Sequence, residues 1–189
     1  NCVPLMAPTG SRDRFFGSNP LAFGFPGPDH PLVTDLATSA VSMGAVKVAE
    51  ERGEKLPPGA MLDENGRPTE DPSEGEVLLP VAAGKGSALA FAVQAMSICL
   101  SGATPIPGHG HDYGFAVIAL DPENFAGIAT LRQNMKTLID RLHELEPTPD
   151  GSGARAPGER AFAEKKRLLD EGIEVDREVW AEIRDLAGK

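Results

Sequence analysis

Cysteine is nearly absent, and the two residues present, Cys2 and Cys99, form no Cys-x-x-Cys pair. That excludes a dithiol redox motif and a zinc knuckle, and it fits a reducing, cytoplasmic compartment. Aromatics are scarce, with one Trp, one Tyr and eight Phe, so a core must be built from Val, Leu, Ala and Met. Basic residues are outnumbered, 18 against 28 acidic, for a net charge of -10. Such a balance argues against nucleic acid as a partner. It leaves small anions open, because they are read by local fields. The most apolar stretch, Ala88–Leu100, falls short of the roughly 20 residues that cross a bilayer, and no basic patch leads into an apolar leader. No membrane partner is expected. Gly-x-Gly-x-x-Gly is also missing, which excludes an ordinary Rossmann site. The glycine that would open a Walker loop before Lys85 is replaced by Leu79.

Glycine and proline are plentiful, 21 and 17 in 189 residues, so tight turns are many. The length suits one domain of ordinary size, or one with an appendage. The chain begins at Asn1 rather than Met, so a processed product or part of a longer protein is expected. Phe15-Phe16, Leu21–Phe25 and Leu32–Thr34 read as short strands. A helix is expected from about Thr38 to Arg52, with Thr38 and Ser39 as cap residues, Val41, Ala45, Val48 and Ala49 as its apolar face, and Gly53 as its stop. Leu56–Glu76 reads as a surface excursion with a turn at Asp63–Gly66. Val77–Pro80 is a short strand feeding Lys85, and Ala88–Leu100 a buried helix with Cys99 as a small hydrophobe inside it. Phe115–Leu120 is an apolar run of the kind a strand covered on both faces shows. Asp121-Pro122-Glu123 starts an amphipathic helix with Leu131, Met135, Leu138, Leu142 and Leu145 on one stripe. Residues 148–157 are a linker between an α/β domain, 1–147, and a helical segment, 158–189.

Several residues carry candidate chemistry. Gly84-Lys85-Gly86-Ser87 opens the apolar helix. A helix N-terminus favours negative charge, and lysine adds a point charge to it, so Lys85 either meets a phosphate or carboxylate or snorkels to water. Asp35-Leu36-Ala37-Thr38-Ser39 sets a carboxylate and two hydroxyls where a strand gives way to a helix; it is either an anion-holding turn or a plain cap. Arg160 lies in the first turn of a helix, against the dipole. It needs an anionic ligand or a pair with Glu159 or Glu164. His109 and His111 share a glycine-rich loop without further spaced ligands, so no metal site is expected. His30 and His143 read as surface residues, and Gly17–Pro20 as a tight turn.

In sequence order these strings resemble one family. Gly17-Ser-Asn-Pro-Leu-Ala-Phe-Gly-Phe-Pro26, Asp35-Leu-Ala-Thr-Ser-Ala40, Gly66-Arg-Pro-Thr-Glu-Asp-Pro72, Leu78-Leu-Pro80 with Gly84-Lys-Gly86, and Pro157-Gly-Glu-Arg160 with Glu171-Gly-Ile173 are similar to the type-2 malate/L-lactate dehydrogenases. That family includes sulfolactate and ureidoglycolate dehydrogenases and cyclic imino acid reductases. The resemblance implies a mixed sheet with helices that binds NAD or NADP without a Rossmann domain. It implies a cytoplasmic dimer that oxidises 2-hydroxy acids or reduces keto or imino acids. By position, Asp35, Leu36, Ala37, Thr38, Lys85, Gly158, Glu159 and Arg160 would line the cofactor, with Asn1 and Cys2 in a further contacting stretch. Asp35 also matches a carboxylate that assists the catalytic histidine.

The chain departs from the family in places. Members carry an N-terminal region that supplies the histidine acid/base and an arginine clamping the substrate carboxylate, and neither has a counterpart here. A tryptophan is frequent near Met61, a histidine stands where this chain has Gly84, and Pro105–Tyr113 is shortened. The chain is therefore expected to be the cofactor-binding part of such an enzyme, active with an N-terminal half in the same or another chain. The alternative is a non-catalytic subunit that keeps the fold.

Overall fold

The computed structural model describes residues 3–28, 30–104, 113–149, 151, 153–175 and 177–188. Asn1, Cys2, His109 and His111 lie outside them. The chain divides into two units: one takes in the chain up to Phe23 and Asp35–Asp121, the other Gly24–Thr34 and the chain from Pro122 onward. Strands β1 (Leu21–Phe25) and β2 (Leu32–Leu36) pair with each other, and the chain leaves the first unit within β1 and returns within β2.

In the first unit, β3 (Met61–Leu62) lies between β4 (Pro68–Thr69) and β5 (Val77–Leu78), antiparallel to both, with Met61 opposite Thr69 and Leu78. Met6 extends this ladder. It bridges Leu78 in parallel and Phe16 antiparallel, so the expected mixed sheet is present with helices against it. The core beside it joins Met6, Phe16, Val46, Ala49, Leu56, Ala60, Met61, Leu78 and Ala90. The stretch from Leu56 is thus not wholly a surface excursion: Leu56, Ala60, Met61 and Leu62 are buried. The turn at Asp63–Gly66 is as expected, with Asp63 Oδ1 accepting from the N–H groups of Asn65 and Arg67 at 2.9 and 2.8 Å.

Helix α1 (Met43–Arg52) starts later than expected, capped by Ser42, whose hydroxyl accepts from Ala45 N at 3.0 Å; it ends at Gly53 with φ 64°. Its buried face is Val46 and Ala49, whereas Val48 is exposed. Helix α2 (Gly84–Gln94) continues into a π-helical turn, Ala95–Cys99. It is not fully buried. Phe91, Met96 and Leu100 are 65%, 44% and 78% exposed, and Cys99 is free and exposed. Phe115–Leu120 is not a covered strand either. All six residues are exposed, Phe115 and Val117 by about four-fifths, and none bonds through its main chain to another described residue.

In the second unit a 3-10 turn, Pro122–Asn124, precedes α3 (Ile128–His143), α4 (Glu159–Glu171) and α5 (Arg177–Ala187). Glu123 Oε1, five residues upstream, accepts from Ile128 N at 3.1 Å and so satisfies a free N–H at the start of α3. The half-buried face of α3 runs through Leu131, Met135, Ile139 and Leu142; Leu138 and Leu145 are exposed. Among the described residues, no helix is long and apolar enough to cross a membrane.

Candidate functional site

Three of the sequence strings meet in the first unit. Thr38 is fully buried, and both its N–H and its hydroxyl donate to Ser18 O, at 2.8 and 2.9 Å. It does not cap α1, which begins five residues later, at Met43, behind the Ser42 cap. Thr38 O in turn accepts from Val81 N at 2.9 Å, Ala40 N donates to Leu79 O at 2.8 Å, and Ser39 bridges Pro80. The Asp35–Ser39 turn is thus stitched through its main chain to the Pro80–Lys85 turn.

The third string enters through Asn19, fully buried at φ 38°. Its Nδ2 donates to Ala90 O and to Gln94 Oε1, both at 2.9 Å. Asn19 Oδ1 is buried and has no partner among the described residues. The Gly17–Pro20 turn consequently fastens the Asp35 turn and the body of α2 at once. Sequence reasoning passed over Asn19 as a turn residue. The available signal was an asparagine before proline, a type that tolerates positive φ.

The start of α2 is strained and open. Ala82 and Ala83 both have positive φ, 49° and 50°, a conformation that costs an L-residue about 1–3 kcal/mol. Ala83 gives the helix no side-chain cap. Gly84 has nothing within 4 Å of where a Cβ would stand. Gly86 has the opposite surroundings: a Cβ there would lie 2.9 Å from Val81 N and closer still to Val81 O. Helix and turn approach backbone to backbone only because residue 86 is glycine. Ser87 fastens the turn from another side, its hydroxyl accepting from Thr9 N at 2.8 Å. Lys85 and Asp35 are both exposed, and neither side chain pairs with another described residue.

Gly158, Glu159 and Arg160 belong to the second unit. Gly158, at φ 88°, precedes α4. Glu159 is engaged twice: Oε2 accepts from Ala156 N at 2.9 Å, and Oε1 meets His143 Nε2 at 2.8 Å. Burial raises its pKa, but the hydrogen bonds from His143 and Ala156 and the charges of His143 and His30 outweigh that and hold it below 4.5. Glu164 is taken by Arg167, at 3.0 and 2.6 Å. Neither carboxylate therefore pairs with Arg160, which is exposed and has no partner among the described residues. His30 and His143 are not idle surface residues: His30 stacks on Phe162 at 4.0 Å between centroids, and His143 holds Glu159. A partner on another element leaves no trace in helical periodicity, which is why both were missed. Among the described residues no cluster of His, Cys, Asp or Glu could hold a metal.

The whole described chain superposes on solved oxidoreductases. Sulfolactate dehydrogenase from Methanocaldococcus jannaschii matches with a TM-score of 0.87 and 28% identity, covering 100% of this chain and 57% of that one. Delta1-piperideine-2-carboxylate reductase from Pseudomonas syringae pv. tomato matches with a TM-score of 0.82 and 31% identity, over 98% of this chain and 58% of that one. In sequence, Delta(1)-pyrroline-2-carboxylate/Delta(1)-piperideine-2-carboxylate reductase from Pseudomonas putida is 32% identical over 206 aligned positions, all of this chain and 57% of that protein. The class is thus an α/β oxidoreductase fold. Residues 1–184 match the malate/L-lactate dehydrogenase family, and the chain belongs to it. It spans a little over half the length of these relatives.

Proposed function

We propose that the chain is the cofactor-binding portion of a cytoplasmic NAD(P)-dependent oxidoreductase that interconverts a small 2-hydroxy acid and its 2-keto acid, or reduces a cyclic imino acid. The stitching of the Asp35 turn to the Lys85 turn through Thr38 and Val81 carries this reading. It sets an uncapped helix start, a free ammonium group and a free carboxylate on one backbone framework. An uncapped N-terminus with an unpaired lysine suits a phosphate, and the open space at Gly84 leaves room for one. The residues present therefore fit a dinucleotide. Lys85 would hold a phosphate, Asp35 through Thr38 would line the cofactor beside it, and the Gly158–Arg160 turn of the second unit is a further candidate contact. NAD or NADP, when bound, supplies the hydride acceptor or donor.

Asp35 suits the orientation of a histidine that moves the substrate proton. That histidine is not among the described residues of this chain, where His30 and His143 are already engaged. We propose that it comes from the remaining part of the family's length, in the same chain or in a partner that forms a dimer with it. Exposed Phe91, Met96 and Leu100 on and just beyond α2, together with Phe115–Leu120, offer the apolar surface such a part would cover. The free, exposed Cys99 fits a reducing compartment.

The test is titration with NADH and NADPH, followed by turnover of a panel of 2-keto and cyclic imino acids in the presence of the family's N-terminal half. Lys85→Ala should weaken nucleotide binding by about 1.5–3 kcal/mol, the range for a charged hydrogen bond. A second reading, a non-catalytic subunit that retains the fold, draws on the missing proton donor and on Gly84 at the family's histidine position; it expects Lys85→Ala to change nothing.

A further inference from the structure

The turn before α4 is shaped by one carboxylate. Glu159 accepts from Ala156 N, while its own N–H donates to Ala156 O at 3.2 Å, a reciprocal clamp on the turn. The other oxygen of that carboxylate goes to His143 at the end of α3. One helical turn further on, Phe162 packs against Gly158 and stacks on His30.

The consequence falls on the next residue, Arg160. A cation in the first turn of a helix is disfavoured by the dipole and readily accepts a neighbouring carboxylate. Glu159 is adjacent in sequence, and Glu164 stands one turn along. Arg167 takes Glu164, and His143 takes Glu159.

We propose that His143 is a positioning residue: by holding Glu159 it shapes the Ala156–Gly158 turn and keeps Arg160 free for an anionic group of the ligand. This rests on the reading that the Gly158–Arg160 turn contacts the nucleotide. Without His143, the Glu159 carboxylate is released beside Arg160 and neutralises it.

The surrounding charges leave His143 this role. On α3, Lys136 and Asp140 pair with each other at 2.6 Å, and Arg141 with Glu144 at 2.8 Å. From the loop between β1 and β2, His30 faces the same carboxylate and adds to its hold. Near α4, Arg155 and Arg160 line the groove beside His143, and Arg167 is spent on Glu164 and Glu171.

The test uses the intact protein that carries this chain, with NADH as the probe. His143→Ala should raise the NADH dissociation constant about two- to five-fold, the scale of an exposed ion pair. Adding Glu159→Gln to His143→Ala should restore affinity, because the amide still accepts from Ala156 N but cannot neutralise Arg160. Unchanged affinity in His143→Ala, or no recovery in the double variant, would overturn the proposal. If the wild type binds no NADH while the His143 imidazole resonances still respond to Glu159→Gln, the nucleotide reading fails and the role of Arg160 fails with it, though the coupling of His143 to Glu159 stands.

Discussion

Asn19 Nδ2 donates to Gln94 Oε1 at 2.9 Å, a side-chain bond between residues 75 positions apart, both buried. It fastens the turn before β1 to the last residue of α2, just ahead of the π-helical turn. The second acceptor of the same amide, Ala90 O, lies one helical turn earlier.

Asn19→Ala should cost about 1–3 kcal/mol in urea unfolding, because it strands buried acceptors. Asn19→Gly separates the causes: it relieves the positive φ but also loses the amide. If Asn19→Gly is as stable as the wild type, backbone strain rather than hydrogen bonding sets the cost.

Gly84 and Gly86, two residues apart, should respond in opposite ways to alanine. Gly86→Ala drives a Cβ into the Val81 backbone and should cost about 1–3 kcal/mol, as overpacking does. Gly84→Ala meets open space in a helix and should gain up to about 1 kcal/mol. Thermal melts of the two variants check this, and equal destabilisation would defeat the close-approach account.

Glu159 should make stability depend on pH in one direction. Its folded pKa is lowered, so its contribution is present above the unfolded value near 4.5 and disappears as pH falls through the lower folded value. The stability difference between wild type and Glu159→Gln should be largest near neutrality and close in acid. Chemical denaturation from neutral pH to about pH 3 measures it. A gap that widens in acid contradicts the sign.

Val117→Lys and Ile118→Lys should leave the melting temperature unchanged, since the two side chains are 80% and 68% exposed. Both should reduce self-association in light scattering, because an open apolar stretch pairs with copies of itself. A large loss of stability would show that the segment is packed within the isolated chain.

Local chemistry made part of the fold readable. Gly53 at positive φ, the Asp63–Gly66 turn and the extent of β1 all follow from residues acting within a few positions of themselves. The start of α1 was not readable, because Thr38, Ser39 and Ser42 are all cap types and the choice fell to a distant carbonyl, Ser18 O. Apolar runs misled for a different reason. Ala88–Leu100 and Phe115–Leu120 are written to be covered, but what covers them is not decided by these residues alone. The grouping of Gly24–Thr34 with the helices after Pro122 leaves no periodic signal at all. For the candidate site, the types at Asp35 and Lys85 were legible. Their connection through Val81 was not, since main-chain donors look alike in every sequence.

Where the proposed N-terminal half is a separate chain, the six consecutive exposed residues from Phe115 to Leu120 also impose a stoichiometry. Chains made in excess of whatever covers that stretch present it to chaperones, proteases and one another. The amount of this polypeptide that a cell retains should then follow the supply of its complement rather than its own rate of synthesis.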